Sequence, residues 1–587
     1  MTIGGKTGRD GIHGATFSSG EMTDRTITVL GSAVQIGNAI EEKRMIDAVY
    51  DLRDQGLIRA ITDCGAGGFS SAIGEMGQKI GARVFLEKAP LKYSGLSPWE
   101  IFISESQERM VLTIDPGNLN KVTQICQLHN VEATVIGKFD GKKRLKVTFN
   151  KAQVCDLDMK FLHHGLPQRV MYAKRKTQNA KRQTPNLRNE PQSQNDWQKI
   201  FEKVLSHGNV CSKEPIVRMY DHNVQGTNAL HPFSGVNFDG PNDGTIVRPI
   251  LKKPYGVVIT HGLNPVLNLT SPYWGSIWAI TEAVSNFVAC GGQIENAALI
   301  DNFIWPFPDK ESLFDLDQSV DACSDMARLL KMPFISGKDS LSSTYRYPAG
   351  PEQSRRANGK ILKIPPVLLI SVFGKIPDVR KTVSSDFKSE GSTIALVGKP
   401  DFKNLGGSTY FDVLSGAHLQ GAHSTSEVYG VPHVDLKSLT KVFGSITKGI
   451  NTNQISACHD ISEGGLVAAL SEMCFGGNCG AKINLSSIAT QTYTPGVESG
   501  RNLENTPGVN KVRPDFILFS ETAGTFLVEV ENPQIAKKLF TGIPYAIFGK
   551  TVADKTISVF SGSKNLCNLD LDKLKNAWQK PMREIFH

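Results

Sequence analysis

The sequence predicts an α/β (α+β) fold in which two related units flank one unlike unit, in B–A–B order with a pseudo-twofold repeat. The first observation behind this is self-similarity. TDCGAGGFSSAIGEMGQKIGARVFL (62–86) recurs as HDISEGGLVAALSEMCFGGNCGAKINL (459–485), FISESQERMVLTID (102–115) as LFSETAGTFLVEVE (518–531), and VIGKFDGKKRLKV (135–147) as IFGKTVADKTISV (547–559). The offsets are 397 for Asp63 to Asp460, 416 for Glu105 to Glu521 and 412 for Gly137 to Gly549. Three echoes in one order at a nearly constant offset are not chance. Most of the difference comes from a polar insertion, TQTYTPGVESGRNLENTPGVNKVRPD, which reads as a surface loop.

The second observation is the pattern inside each copy. NAIEEKRMIDAVYDLRDQG places Ile40, Ile46, Val49 and Met45 along a helical face and stops at Gly56, while ARVFL, RMVLTI and RLKVTF read as short strands. The third is the unlike middle, with strand-like YGVVIT and PVLLISVF and a long helix through GSIWAITEAVSNFVAC. The expected organisation is B1 over 1–165, a basic polar linker over 166–197, A2 over 198–385 and B2 over 386–587. GGKTGRDGIHG opens at residue 4 with no strand expected before it, so the chain is expected to be truncated or one piece of a split enzyme.

Composition excludes several classes. At 587 residues the chain is too long for one core, and 40% apolar with 21% charged residues is ordinary for a soluble globular protein. No run approaches the roughly 18 apolar residues of a membrane span, and MTIGGKTGRDG, with no apolar run after its charges, is not expected to act as a secretory signal. The ten cysteines form no CxxC pair; Cys474 and Cys479 lie in a Gly-rich stretch without zinc spacing, so reduced thiols in a cytoplasmic enzyme are expected. Much of the +8 charge lies in AKRKTQNAKRQTPNLR, which lacks the interleaved aromatics of a nucleic-acid platform and reads as a solvated linker.

Each chemical motif admits a functional and a bland reading. GGKTGRDGIHGATFSS (4–19) offers glycines for close backbone approach to a phosphate, with Lys6, Arg9 and His13, or it is a plain loop. Asp63 and Asp460, each before a paired glycine, suit Mg2+ or cap a helix. Glu282 and Asn286 are four apart on one helix face: a hard-oxygen pair or a polar stripe. In ISGKDSLSS, Gly337, Lys338, Asp339 and Ser340 offer close approach and donors to an anion. SESQER, at a strand end, turns Glu105 and Gln107 to one side, as a sugar- or amide-binding pair or as a half-exposed face.

Together the motifs GGKTGRDGIHGATFSS, VQIGNAIEEK, TDCGAGGFSSAIGEMG, SESQERM, YDHNVQG, GKDSL and HDISEGGLVAALSEM resemble phosphoribosylformylglycinamidine synthase, in that family's order along nearly the whole chain. The resemblance implies tandem aminoimidazole ribonucleotide synthetase-like domains. It also implies ATP-dependent conversion of formylglycinamide ribonucleotide and ammonia to the amidine, through a phosphorylated amide. By position it implies Gln35, Glu105, Ser106, Gln107 and Ser340 as ribonucleotide ligands and Asp63 as a Mg2+ ligand. Asp301, Gly337, Tyr220 and Ser462 resemble ATP contacts, and Asp221, Glu282, Asn286 and Asp460 resemble Mg2+ ligands around a second, structural nucleotide of the larger form. Lys338–Asp339 replaces the Asn–Val of the short form, which removes Lys338 from the metal ligands. The family's catalytic histidines belong to a first A domain, expected to be missing from this sequence by truncation or carried on another chain, and a glutaminase subunit or domain is the expected ammonia source. No nucleic-acid or membrane partner is expected. The alternative is a non-catalytic scaffold subunit that keeps a structural nucleotide site.

Overall fold

The computed structural model describes residues 1–12, 37–175, 191–219, 222–223, 225–346, 361–415, 430–491 and 512–586. It divides into two compact units, Met1–Tyr172 with Leu341–Lys363 and Ala173–Ser340 with Ile364–His587.

In the first unit, a four-stranded antiparallel sheet runs in the order Ala60–Asp63, Arg109–Thr113, Thr2–Gly4, Ala133–Thr134. A second four-stranded sheet follows the order Gly137–Phe139, Ala82–Phe85, Arg144–Phe149, Ala152–Asp158. The helix Ala39–Asp54 buries Met45, Ala48 and Leu52 against Ile3, Leu112 and Val122. Ile40, expected on that face, is 56% exposed, because the buried stripe runs through positions 45, 48 and 52 and position 40 falls off it. The glycine loop at residue 4 does have an element before it: Thr2–Gly4 is the third strand of its sheet, with Ile3 buried. Three residues carry too little alternation to announce a strand.

In the second unit the same strand order appears as one seven-stranded sheet: Ala457–Asp460, Phe526–Val530, Thr393–Val397, Tyr545–Val552, Gly480–Asn484, Thr556–Ser561, Lys564–Asp570. The strand Tyr545–Val552 runs unbroken where its counterpart in the first unit is split into Ala133–Thr134 and Gly137–Phe139, and this join merges two sheets into one. The chain is therefore built from tandem related α/β units. A separate six-stranded sheet in this unit follows the order Phe334–Ser340, Ala297–Ile304, Val367–Ile376, Gly256–Gly262, Thr245–Val247, Asn228–Leu230. The helix Pro272–Ala289 packs on it and is buried continuously from Gly275 to Ala289, its polar Ser276, Thr281, Glu282, Ser285 and Asn286 included.

The paired glycines of the echo have a steric cause. Gly67 and Gly68 lie at φ 76° and 55°, and Gly464 and Gly465 at φ 80° and 67°. A Cβ on Gly68 would fall 1.9 Å from the Ser104 carbonyl oxygen, and one on Gly465 2.8 Å from that of Ser520. A fourth echo, hidden in the sequence, emerges from backbone roles. Gly4 and Gly398, at φ 95° and 104°, donate their N–H groups to Glu132 and Pro544 at 3.0 and 2.9 Å. Gly8 and Asp401 then donate theirs to Ser106 Oγ and Thr522 Oγ1, both at 2.9 Å.

Candidate functional site

In the first unit, the segment Ser104–Glu108 joins the helix Pro98–Ile103 to the strand Arg109–Thr113. SESQER is therefore a connection leading into a strand, not the end of one. The helix starts in a capping box in which the Ser97 N–H donates to Glu100 Oε2 at 2.8 Å. Arg9 Nε binds the other Glu100 oxygen at 2.7 Å, and these contacts hold the Glu100 carboxyl at about 2. Glu105 Oε1 accepts the Gly67 N–H at 3.2 Å, and the Glu105 N–H donates to the Asp10 carbonyl at 2.7 Å. Gln107 is exposed and its amide donates to the Glu105 carbonyl at 2.7 Å. The Ser106 side chain faces the other way: it is fully buried, donates to Asp10 Oδ2 and lies 3.0 Å from Ser104 Oγ. Glu105 and Gln107 thus share the outer side, and Ser106 shapes the loop from within.

Asp63 is exposed at the end of its strand, with Oδ2 accepting the Gly65 N–H at 2.9 Å. The helix-cap reading of both aspartates is overturned. The helices Gly68–Met76 and Gly465–Gly477 have Gly67 and Gly464 as N-caps, without a side-chain cap bond. The glycine pair places each Asp several residues ahead of the first turn. The first unit also holds a cavity of about 330 Å³, with Gly4, Gly5, Lys6, Lys92 and Gln107 among its walls. Lys92 is ion-paired with Asp10 at 2.8 Å.

In the second unit, Glu282, Asn286 and Asp460 are all buried, at 8%, 9% and 3% exposure, so the polar-stripe reading of the helix fails. Glu282 Oε2 accepts the Leu263 N–H at 2.8 Å, and Asn286 Nδ2 donates to the His261 carbonyl at 2.9 Å. Among the described residues Asn286 Oδ1 and Asp460 Oδ2 are buried oxygens with no hydrogen-bond partner. Burial, reinforced by the charges of Glu463 and Asp460, pushes Glu282 well above the usual carboxylate range. Burial and the neighbouring Glu521 push Glu463 up to about 8. Beside them, His459 Nδ1 lies 2.5 Å from Asp243 Oδ1 and Nε2 3.0 Å from Glu472 Oε2. Burial opposes its protonation, but Asp243 outweighs that and holds the imidazole well above its ordinary value. Such a gathering of buried acidic groups, with two orphaned hard oxygens, is an arrangement a divalent cation satisfies.

Glu521 accepts the N–H groups of Gly464 and Thr409 on Oε1, at 2.7 and 2.9 Å, the first repeating the Gly67–Glu105 bond. Burial raises it to about 7 from an ordinary 4.5. Between those values the unfolded chain has released a proton that the folded chain keeps, so this contribution to stability is full below pH 4.5 and is lost as pH rises through 7. Glu521→Gln keeps the accepting oxygen and removes the titration. It should raise stability at pH 8 relative to wild type by up to roughly 3 kcal/mol and leave pH 4 unchanged, read from urea midpoints. An identical pH slope in the variant would refute this.

On the six-stranded sheet, Asp301 pairs in parallel register with Gly337, and a Cβ on Gly337 would lie 2.2 Å from Asp301 Oδ1. Burial and the charge of Asp339 raise the Asp301 carboxyl. Lys338 Nζ donates to the buried Ser340 Oγ. GKDS is thus part of the edge strand itself. Ser462 lies two residues after Asp460 and accepts the Gly465 N–H at 3.0 Å through its carbonyl. The structure thus gathers Glu282, Asn286, Asp460 and Ser462 in one region and Asp301, Gly337 and Ser340 in another, while Glu105, Ser106, Gln107 and Asp63 belong to the first unit. Gln35, Tyr220 and Asp221 lie outside the described residues. Sequence reasoning missed Asp243, His459, Glu463 and Glu521, although Glu521 was already legible as the echo of Glu105. All ten cysteines are free, and among the described residues no helix is long and apolar enough to cross a membrane.

The model of the AIR synthase related protein C-terminal domain matches twice, over residues 3–150 and 389–562, and that of the N-terminal domain matches residues 242–350. The phosphoribosylformylglycinamidine synthase subunit PurL of Picrophilus torridus is 31% identical over 582 residues, 98% of this chain and 70% of the relative. That of Methanocaldococcus jannaschii is 30% identical over 99% of this chain and 73% of the relative. Among solved structures, Thermotoga maritima PurL complexed with FGAR aligns at TM-score 0.59 and 21% identity, covering 94% of this chain and 71% of that one. The same protein complexed with ATP aligns at TM-score 0.57 and 21% identity, covering 94% and 70%.

Proposed function

The chain belongs to the phosphoribosylformylglycinamidine synthase subunit PurL family, ligases of purine biosynthesis that form a carbon–nitrogen bond, and from that premise we propose the division of labour between its units. The reaction we assign is ATP-dependent conversion of formylglycinamide ribonucleotide to the amidine. The amide oxygen, a poor leaving group, is first phosphorylated, and ammonia then displaces phosphate. The ammonia comes from glutamine by way of a glutaminase subunit, and the assembly works in the cytoplasm.

In this reading the first unit holds the ribonucleotide through Glu105 and Gln107, with Gln35 and the Ser106 backbone beside them. Asp63 holds Mg2+ at the exposed end of its strand. Glu282, Asn286 and Asp460 hold Mg2+ on a second nucleotide, joined by Asp221, Tyr220 and Ser462. Asp301 and Gly337 serve an ATP site, on the sheet edge that also carries Ser340. Bound Mg2+ would neutralise phosphate charge. The chain's own residues orient it: Leu263 fixes one Glu282 oxygen and His261 fixes the Asn286 amide, leaving hard oxygens to meet the cation.

The observation that carries the reading is the pair of buried oxygens without a partner among the described residues, Asp460 Oδ2 and Asn286 Oδ1, beside Glu282. Titration calorimetry of the purified chain tests it. Mg2+ with ADP and the ribonucleotide should each bind, independently of one another, and Gln107→Ala should weaken only the ribonucleotide, by tenfold or more. Loss of both by that one substitution, or binding of neither ligand by wild type, would refute the division of labour.

A further inference from the structure

Arg109 follows the ribonucleotide loop and is 3% exposed. Its Nε donates to the Ser106 carbonyl at 2.7 Å, Nη2 to the Ser104 carbonyl at 2.6 Å and Nη1 to Thr7 Oγ1 at 2.7 Å. The guanidinium lies over the Phe69 ring, 4.6 Å from its centroid. Among the described residues it forms no ion pair: it binds the Ser106 carbonyl, while the hydroxyl of the same residue donates to the Asp10 carboxylate. Burying a charge without a direct counter-charge is expensive, so its presence needs a reason.

The repeat supplies an internal control. Thr525 stands where Arg109 does: the Cys64 N–H donates to the Arg109 carbonyl at 3.1 Å, and the Ile461 N–H to the Thr525 carbonyl at 3.0 Å. Thr525 Oγ1 donates to the Thr522 carbonyl at 2.8 Å, the bond that Arg109 Nε makes to Ser106. The hydroxyl pair Ser104–Ser106, 3.0 Å apart, returns as Ser520–Thr522 at 2.9 Å. The same turn is therefore held in the second unit by a neutral threonine. The fold does not require the charge. In that copy the position of Gln107 is also taken by Ala523, so the guanidinium and the outward amide are absent together.

We propose that Arg109 is a positioning residue of the ribonucleotide site. It ties the Ser104 and Ser106 carbonyls inward, which leaves Glu105 and Gln107 on the outer side, and it fixes a positive charge behind a loop that receives an anionic ligand. Tying Thr7 to the same guanidinium joins the glycine loop to this frame. The inference rests on the reading that Glu105 and Gln107 contact the ribonucleotide.

The test uses the full chain with Arg109→Thr, the second unit's own solution, Arg109→Met, which fills the volume without charge, and Arg109→Lys, which keeps charge. Formylglycinamide ribonucleotide affinity is measured by calorimetry, with hydrogen exchange of the strand Arg109–Thr113 reporting on the local fold. Threonine and methionine should weaken binding tenfold or more, lysine should recover part of the loss, and exchange and Mg2+–ADP binding should stay as in wild type. Wild-type affinity in the threonine or methionine variant, while Gln107→Ala weakens binding, would overturn the role of Arg109 alone. Collapse of exchange protection in all three variants would also overturn it, by making Arg109 a residue of the fold. A silent Gln107→Ala, or a wild type that does not bind, would remove the underlying reading and the inference with it.

Discussion

Replacing Asp460 by asparagine should remove most of the stabilisation that Mg2+ and ADP confer on the wild-type chain. A ligand at a hundred times its dissociation constant stabilises the folded state by about 2.7 kcal/mol, and a hundredfold loss of affinity erases nearly all of it. The substitution takes a full charge from a group whose Oδ2 has no partner among the described residues and whose Oδ1 lies 3.6 Å from His459 Nδ1, a contact that an asparagine oxygen can keep. Glu282→Gln acts from the neighbouring helix and should do the same. Because burial and like charges already disfavour the ionised Glu282, both variants should melt at or above the wild-type temperature without ligand. Scanning calorimetry with and without Mg2+–ADP reads both effects. A full ligand-induced shift in both variants would contradict the assignment.

The second large effect is catalytic. Asp63→Asn should lower turnover by on the order of a hundredfold, about 2.7 kcal/mol of transition-state stabilisation, in the assembly in which the wild-type chain turns over. Its only described bond accepts the Gly65 N–H, which an asparagine oxygen accepts equally well. Gly67, not Asp63, caps the following helix. The ligand-free melting temperature should therefore not move. Wild-type turnover at saturating Mg2+ would show that Asp63 holds no metal.

The repeat was legible because its strongest echo, an Asp before two glycines, is fixed by sterics: no other residue tolerates positive φ against the Ser104 and Ser520 carbonyls. The fourth echo was not, because GGKTGRD and GKPDFKN share backbone roles rather than side chains. Glu282 and Asn286 were legible as a pair at helical spacing, but their burial was not, since burial is set by what packs around the helix. Gln107 and Glu105 do share a side, although the segment is a connection and not a strand. The inward turn of Ser106 followed from that same alternation and was missed. Arg109 could not be weighed from one copy alone; its meaning lies in the contrast with Thr525, which only the superposed hydrogen bonds reveal.

The most direct measurement of the central claim is anomalous diffraction from crystals of the chain grown with Mn2+ and ADP. The account predicts a metal peak in the second unit bounded by the oxygens of Glu282, Asn286 and Asp460, with Asp460 Oδ2 turned toward it. A nucleotide bound with its metal elsewhere, and Asp460 Oδ2 and Asn286 Oδ1 still without a partner, would contradict it.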